Sequence, residues 1–171
     1  MSRMIDAVDK ANKILRQFDL RNPERIARQA DIMVLPQPFK KQKGAYTVIE
    51  RQPIIFIKED LPSVTRQIVI GHELGHHYLH REEIAHCGTF REFNIFDMRD
   101  NHMEFEANIF AAQIMLPDDE ILEYIYNGFD VSQIARAMRS DINLVALKVA
   151  EMNRRGYSFR EQEHNPKFLK A

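Results

Sequence analysis

The run from Val64 to His80, Val-Thr-Arg-Gln-Ile-Val-Ile-Gly-His-Glu-Leu-Gly-His-His-Tyr-Leu-His, has no proline and carries His72, Glu73 and His76 in an H-E-x-x-H arrangement. It opens after Pro62-Ser63, with Ser63 a fair N-cap, and reads as a helix. Residues four apart on a helix lie about 40° apart around its axis and one turn apart along it, so two imidazoles at 72 and 76 converge on one point. Ile68, Val69 and Leu79 share the histidine arc, while Ile70 and Leu74 lie opposite, so the helix is expected to pack on both sides. Histidines inside such a helix leave ring nitrogens without partners unless something binds them. The chain must therefore fold around this helix and bring a further group to its histidines. With Glu73 placed beside the pair to hold a water, the pattern is that of a zinc peptidase.

The third ligand is sought downstream. His102 to Leu116 reads as a second helix, ended by Pro117. On its wheel Glu104 and Asn108 share an arc with Ala107, Ala111, Ala112 and Met115, whereas Glu106 and Gln113 mark a narrow polar edge nearly opposite. A carboxylate in the middle of an apolar face is costly unless it binds a metal or an ion-pair partner. Glu104 is thus the expected third ligand, giving a His2Glu site with one position open for water. Asn108, one turn on, is placed to hydrogen-bond the outer nitrogen of a ligand histidine and orient it. A first-turn acid favoured by the helix dipole is the plainer reading of Glu104, but it does not explain why Glu104 and Asn108 face inward together. Glu106, two residues from Glu104, is expected on the surface.

The segments His72-Glu-Leu-Gly-His-His-Tyr-Leu-His80 and Glu104-Phe-Glu-Ala-Asn-Ile-Phe-Ala-Ala-Gln-Ile-Met-Leu-Pro117 together resemble the ImmA/IrrE family of bacterial and phage metallopeptidases. The match extends more loosely from about Ile5 to Gly156. The resemblance implies a gluzincin-like protease that cleaves a helix-turn-helix repressor, with His72, His76 and Glu104 as zinc ligands and Glu73 as base. The radiation-response branch of that family carries a C-terminal sensor domain for which this chain is too short, so the phage or mobile-element type is the closer comparison.

With 171 residues, of which 44% are hydrophobic, one good core can be buried. The expected class is α+β: a mostly helical chain with a small antiparallel sheet packed on the zinc-binding helix pair, and a C-terminal helical appendage. A metallopeptidase domain over residues 1–120 is expected, with a helix-turn-helix-like segment and polar tail over 121–171. Ile5 to Phe18 and Pro23 to Ala30 read as amphipathic helices, Asn22 capping the second. Ile32 to Leu35, Ala45 to Glu50 and Ile54 to Lys58 read as strands, with Arg51-Gln52-Pro53 joining the last two. An edge of that sheet is a natural place for an extended peptide to lie. Residues 81 to 101 lack periodicity and read as a long connection near the cleft, a candidate lid. Tyr46, His86 and His102 are open candidates for a donor to an oxyanion. His80 lies about 12 Å along the axis from His72, too far to share its ion, and His77 points away from the pair.

A single Cys excludes an intramolecular disulfide, and Cys87 reads as an inert small residue. No apolar run approaches a membrane span and the start of the chain lacks a signal core, so a cytoplasmic protein is expected. Residues 97–123 hold eight acids against the single base Arg99, which adds only weak support for a basic protein partner. Helices over Ser132 to Met138 and Asn143 to Asn153 have a helix-turn-helix-like spacing. A formal net charge of −1 and no glycine in the turn make packing or substrate docking the preferred role, and direct nucleic-acid binding is not expected. The tail after Tyr157 reads as polar and mobile. The expected chemistry is peptide hydrolysis with one zinc ion per chain. Two rivals remain, a metal-containing module that binds a repressor without cutting it and a DNA-binding regulator.

Overall fold

The computed structural model describes residues 2–86, 101–161 and 168–169. Among them are helices α1 (Ser2–Phe18) and α2 (Pro23–Gln29), strands β1 (Met33–Gln37), β2 (Gly44–Ile49) and β3 (Gln52–Lys58), and α3 (Ser63–His86). After residues 87–100 come α4 (Asn101–Met115), α5 (Asp118–Tyr126), α6 (Val131–Ala137) and α7 (Ile142–Arg154). The α+β class follows directly. Local signals hold where they are strongest: Asn22 Oδ1 accepts from Arg25 N at 2.9 Å and Pro23 occupies the first turn of α2. The metal helix opens at Ser63 itself, with Arg66 N bonded to Pro62 O at 2.8 Å. It also runs on through residues 81–86, where the sequence suggested a loop, after a non-helical His80 at φ −129°, ψ 15°. The expected lid, with Cys87, Gly88, Arg91, Arg99 and Asp100, lies outside the described residues.

The sheet is mixed rather than antiparallel. Its order is β1-β3-β2, with β2 antiparallel to β3 from Gly44↔Ile57 to Ile49↔Gln52 and β1 parallel to β3 from Met33↔Ile54 to Gln37↔Lys58. Pro53 to Ile57 are buried at every position, as suits a central strand covered on both faces. The hairpin takes one edge of β3, β1 must take the other, and α2 delivers it in the parallel sense. The two-residue hairpin turn has positive φ at both Glu50 (49°) and Arg51 (70°), the type I′ conformation that glycine and asparagine tolerate best. Glu50→Asn combined with Arg51→Gly is therefore expected to raise stability by about 1 kcal/mol in urea unfolding. A loss of stability would show that those side chains hold the turn in another way.

Helix α3 lies between the sheet and α4. Tyr46, Ile55 and Ile57 from the sheet meet Val69, Ile70 and Leu74 of α3, and Phe110 and Ile114 of α4 join the same core with Ala11, Ile14 and Ile26. Gly71 and Gly75 face Ala111 and Ala107, so the two helices cross on small residues. A Cβ added at Gly75 would lie 2.8 Å from Ala107 Cα, which shows how closely the backbones approach.

Helices α5, α6 and α7 close the far side. Ile121, Val131, Ile134, Leu144, Val145 and Val149 share a core with Ile68, Ala112 and Leu116. Every residue from Leu144 to Met152 is buried, so α7 commits its whole circumference to packing. Its Lys148, 0% exposed, donates to Gln113 Oε1 and to Asp118 Oδ1 (2.5 Å), while Arg155 Nη1 reaches Asp118 Oδ2 at 2.6 Å. The tail expected to be mobile is tied down at Phe159, whose backbone N and O bond Asn153 at 2.7 and 2.8 Å and whose ring stacks on Tyr157.

Asp118→Ala would leave the buried ammonium of Lys148 short of its charge partner. Because Asp118 is partly exposed, the expected loss is about 2 kcal/mol, below the range for a fully buried pair. Burial pushes the Asp118 carboxyl up, but Arg155 and Lys148 outweigh it and hold its pKa at about 2. The folded value is depressed, so this stabilisation is complete above the ordinary aspartate pKa of about 3.9 and is lost as pH falls toward 2. Thermal unfolding of wild type and variant should converge across that window, and a constant difference down to its lower end would remove Asp118 from the account.

Candidate metal centre

Three donor side chains converge where α3 meets α4. His72 Nε2 and His76 Nε2 are 3.1 Å apart, His72 Nε2 is 3.2 Å from Glu104 Oε2, and His76 Nε2 is 3.2 Å from Glu104 Oε1. The four-residue spacing stacks the two rings on one side of α3, and the small-residue crossing brings α4 near enough for a glutamate to reach both. His72 and His76 are buried and Glu104 is nearly so. Burial pushes the Glu104 carboxyl up, yet the adjoining His72 and His76 rings outweigh it and hold it well below the usual carboxylate range. His72, His76 and Glu104 form a group that could hold a metal ion.

Hydrogen bonding fixes which ring nitrogens face the centre. Asn108 Oδ1 lies 2.8 Å from His72 Nδ1 and can only accept, so His72 carries its proton on Nδ1 and turns the Nε2 lone pair inward. Lone pairs and a carboxylate gathered this closely repel unless a cation sits among them. The two ring nitrogens, 3.1 Å apart, are close to the edge of about 3.3 Å for a tetrahedron with ligand bonds of about 2.0 Å, and each has one Glu104 oxygen 3.2 Å away. The donor set therefore fits a small divalent ion.

Glu106 is not on the surface. It is 6% exposed, and its Oε2 and Oε1 lie 2.8 Å from His80 Nε2 and 2.9 Å from His102 Nε2. The polar edge read from the wheel is a buried edge: residues 106–114 are buried without a break, because α3, α1 and α7 surround α4. Gln113, on the same edge, holds Lys148 and donates to Asn12. His80 does not share the ion site, but its Nδ1 lies 3.1 Å from His76 Nδ1. The signal for this was present as the repeated spacing His72, His76, His80. The axial rise of about 12 Å excludes His80 only as a ligand to the same ion as His72.

Glu73 is buried on α3 beside the start of β2, where a Cβ at Gly44 would lie 3.2 Å from its Oε1. His77 points away from the pair, with Nδ1 2.9 Å from the Tyr46 hydroxyl. That contact bears on the open oxyanion candidates. Tyr46 is fully buried with its hydroxyl at His77, and burial raises its pKa to about 12 while lowering that of His77 to about 4. His86 is exposed and bonds Glu82 O, and His102 is paired with Glu106. None of the three is placed at the His72–His76–Glu104 cluster by these contacts.

Residues 27–148 match the IrrE N-terminal-like domain. The chain is 38% identical over 131 residues to a protein of Bacillus subtilis strain 168 described as metallopeptidase ImmA, spanning 74% of this chain and 73% of that one. It is also 30% identical over 124 residues to uncharacterized immunity region protein 2 of Bacillus phage phi105, spanning 72% of this chain and 76% of that protein.

Proposed function

The chain belongs to the IrrE N-terminal-like family and is a metallopeptidase, and from that premise we propose that it is a zinc endopeptidase that cuts a helix-turn-helix repressor at one or a few sites. The observation that carries the chemistry is the convergence of His72, His76 and Glu104 within 3.2 Å of one another, with Glu73 on the same helix. In this reading those three residues hold the ion and Asn108 orients His72. When bound, zinc supplies Lewis-acid polarisation of a carbonyl and brings the pKa of water toward about 7. Glu73 takes the proton of the attacking water and then delivers it to the leaving amine.

Among the described residues β2 is an edge strand of the sheet and begins at Gly44, next to Glu73, and a substrate laid along it as an added strand would pass the carboxylate. Residues 1–120 supply this machinery, and 121–171 buttress it through the core under α5 to α7. The substrate class follows from the motif resemblance and is supported by the immunity-region description of one relative. Among the described residues no helix is long and apolar enough to cross a membrane, and a cytoplasmic location belongs to the same proposal. Glu73 in place disfavours a non-cutting module. The burial of α7 disfavours its use as a DNA-reading helix.

Purified zinc-loaded protein is incubated with any helix-turn-helix repressor encoded by a neighbouring gene and, separately, with casein, and fragments are read by mass spectrometry. One or a few cuts in the repressor with casein intact is the expected result. Equal degradation of both would refute narrow specificity, and cutting of casein alone would refute the substrate class.

A further inference from the structure

A second chain of contacts leads from His76 away from the donor cluster. His76 Nδ1 lies 3.1 Å from His80 Nδ1, His80 Nε2 lies 2.8 Å from Glu106 Oε2, and Glu106 Oε1 lies 2.9 Å from His102 Nε2. His76 and His80 are both at least nine-tenths buried, as is Glu106. From these contacts, and resting on the reading of His76 as a metal ligand, we propose that His80 and Glu106 are positioning residues that orient His76 and strengthen it as a donor.

The direction of each hydrogen bond follows from its neighbours. If His76 offers Nε2 to the ion, its proton is on Nδ1, and that N–H must be the donor toward His80. His80 Nδ1 then accepts, which places the His80 proton on Nε2, where it points at the Glu106 carboxylate. Glu106 can only accept when ionised, so the order closes without an unsatisfied atom. The carboxylate polarises the His80 ring, and the ring draws on the His76 N–H, making His76 Nε2 a better donor. His72 Nδ1 meets the amide oxygen of Asn108 instead. The two imidazoles of the H-E-x-x-H pair are thus inequivalent, with the one backed by a carboxylate the stronger.

The fold provides for this relay at two points. The non-helical backbone at His80 breaks the regular course of α3 one turn after His76. Two residues beyond Glu104, the opposite face of α4 turns Glu106 toward α3 rather than to water, since α4 is buried around its circumference from residue 106. Glu104 and Glu106 therefore act on the same histidine pair from different directions, one through the cluster and one through His80.

The test uses the full chain and Zn2+ in competition with a chromogenic chelator, together with thermal unfolding of the metal-free protein. His80→Ala should weaken zinc binding by about 10- to 100-fold. Glu106→Gln, which keeps size and one acceptor oxygen, should weaken it by a smaller factor. His80→Asn puts an amide oxygen near the position of His80 Nδ1 and should recover most of the lost affinity, a rescue that simple space filling does not predict. In the zinc-loaded wild type, imidazole 15N shifts should report His80 protonated on Nε2. Equal zinc affinity in wild type and His80→Ala overturns the inference, as does His80 protonated on Nδ1. Should His80→Ala fail to fold, wild-type affinity in Glu106→Gln overturns it on its own. A wild type that binds no zinc would instead overturn the reading of the metal centre on which the inference rests.

Discussion

Glu73→Gln is expected to bind zinc as the wild type does and to cut peptide bonds roughly 10²- to 10⁴-fold more slowly, the usual contribution of a positioned general base. The substitution keeps the size of the side chain and leaves His72, His76 and Glu104 untouched, so metal content and activity separate. Glu73 is buried between α3 and the start of β2, and the uncharged amide fits the same space beside Gly44 without a new clash. Only its ability to take a proton is lost. Metal analysis alongside a cleavage assay reads both quantities in one sample. Cutting near the wild-type rate would mean that another group accepts the proton, and the role given to Glu73 would fall.

Gly75→Ala is expected to cost about 2–3 kcal/mol of stability and to reduce zinc affinity by more than about tenfold, although its side chain is neither ligand nor base. Its added methyl would stand 2.8 Å from Ala107 Cα and 3.0 Å from Ala107 O, and backbone cannot yield as a flexible side chain does. The helices must separate, and Glu104 lies one turn from Ala107 on the helix that moves. The gain in helix propensity from glycine to alanine, up to about 1 kcal/mol, offsets part of the loss. Gly71→Ala provides the contrast, since its nearest contacts at 3.4 Å are ordinary. It should stay within about 1 kcal/mol of wild type and keep the metal. Unfolding curves and chelator competition on the two variants decide the matter. Equal behaviour would show that the crossing is looser than the distances indicate.

Much of the candidate site was legible because its parts are local. The pairing of His72 with His76 needs only the pitch of one helix, and the inward arc of Glu104 and Asn108 needs only the pitch of another. Asn22 and Pro23 announce the start of α2 by the same kind of short-range chemistry. Glu106 failed this reading for an identifiable reason. A wheel orders residues around a helix axis but does not say how many neighbours the helix has, and the polar side of α4 meets α3 and α7 instead of solvent. The axial distance of His80 from His72 rules it out as a ligand to the same ion but says nothing of its reach to the far nitrogen of His76.

By itself the sequence determined the helical register of His72, Glu73 and His76, the family to which the chain belongs and the α+β class, since each depends on residue types and spacings within individual segments. Tertiary structure decided that β1 runs parallel to β3, that Lys148 is sealed beneath α4 and that Glu106 turns inward to His80. Each of these is a relation between segments remote in the chain. Burial of an apolar face drives segments together without prescribing which polar groups meet when they close. Once they meet away from water, hydrogen bonding selects the arrangement that leaves fewest groups unsatisfied. At this centre that arrangement joins His76, His80 and Glu106 across two helices.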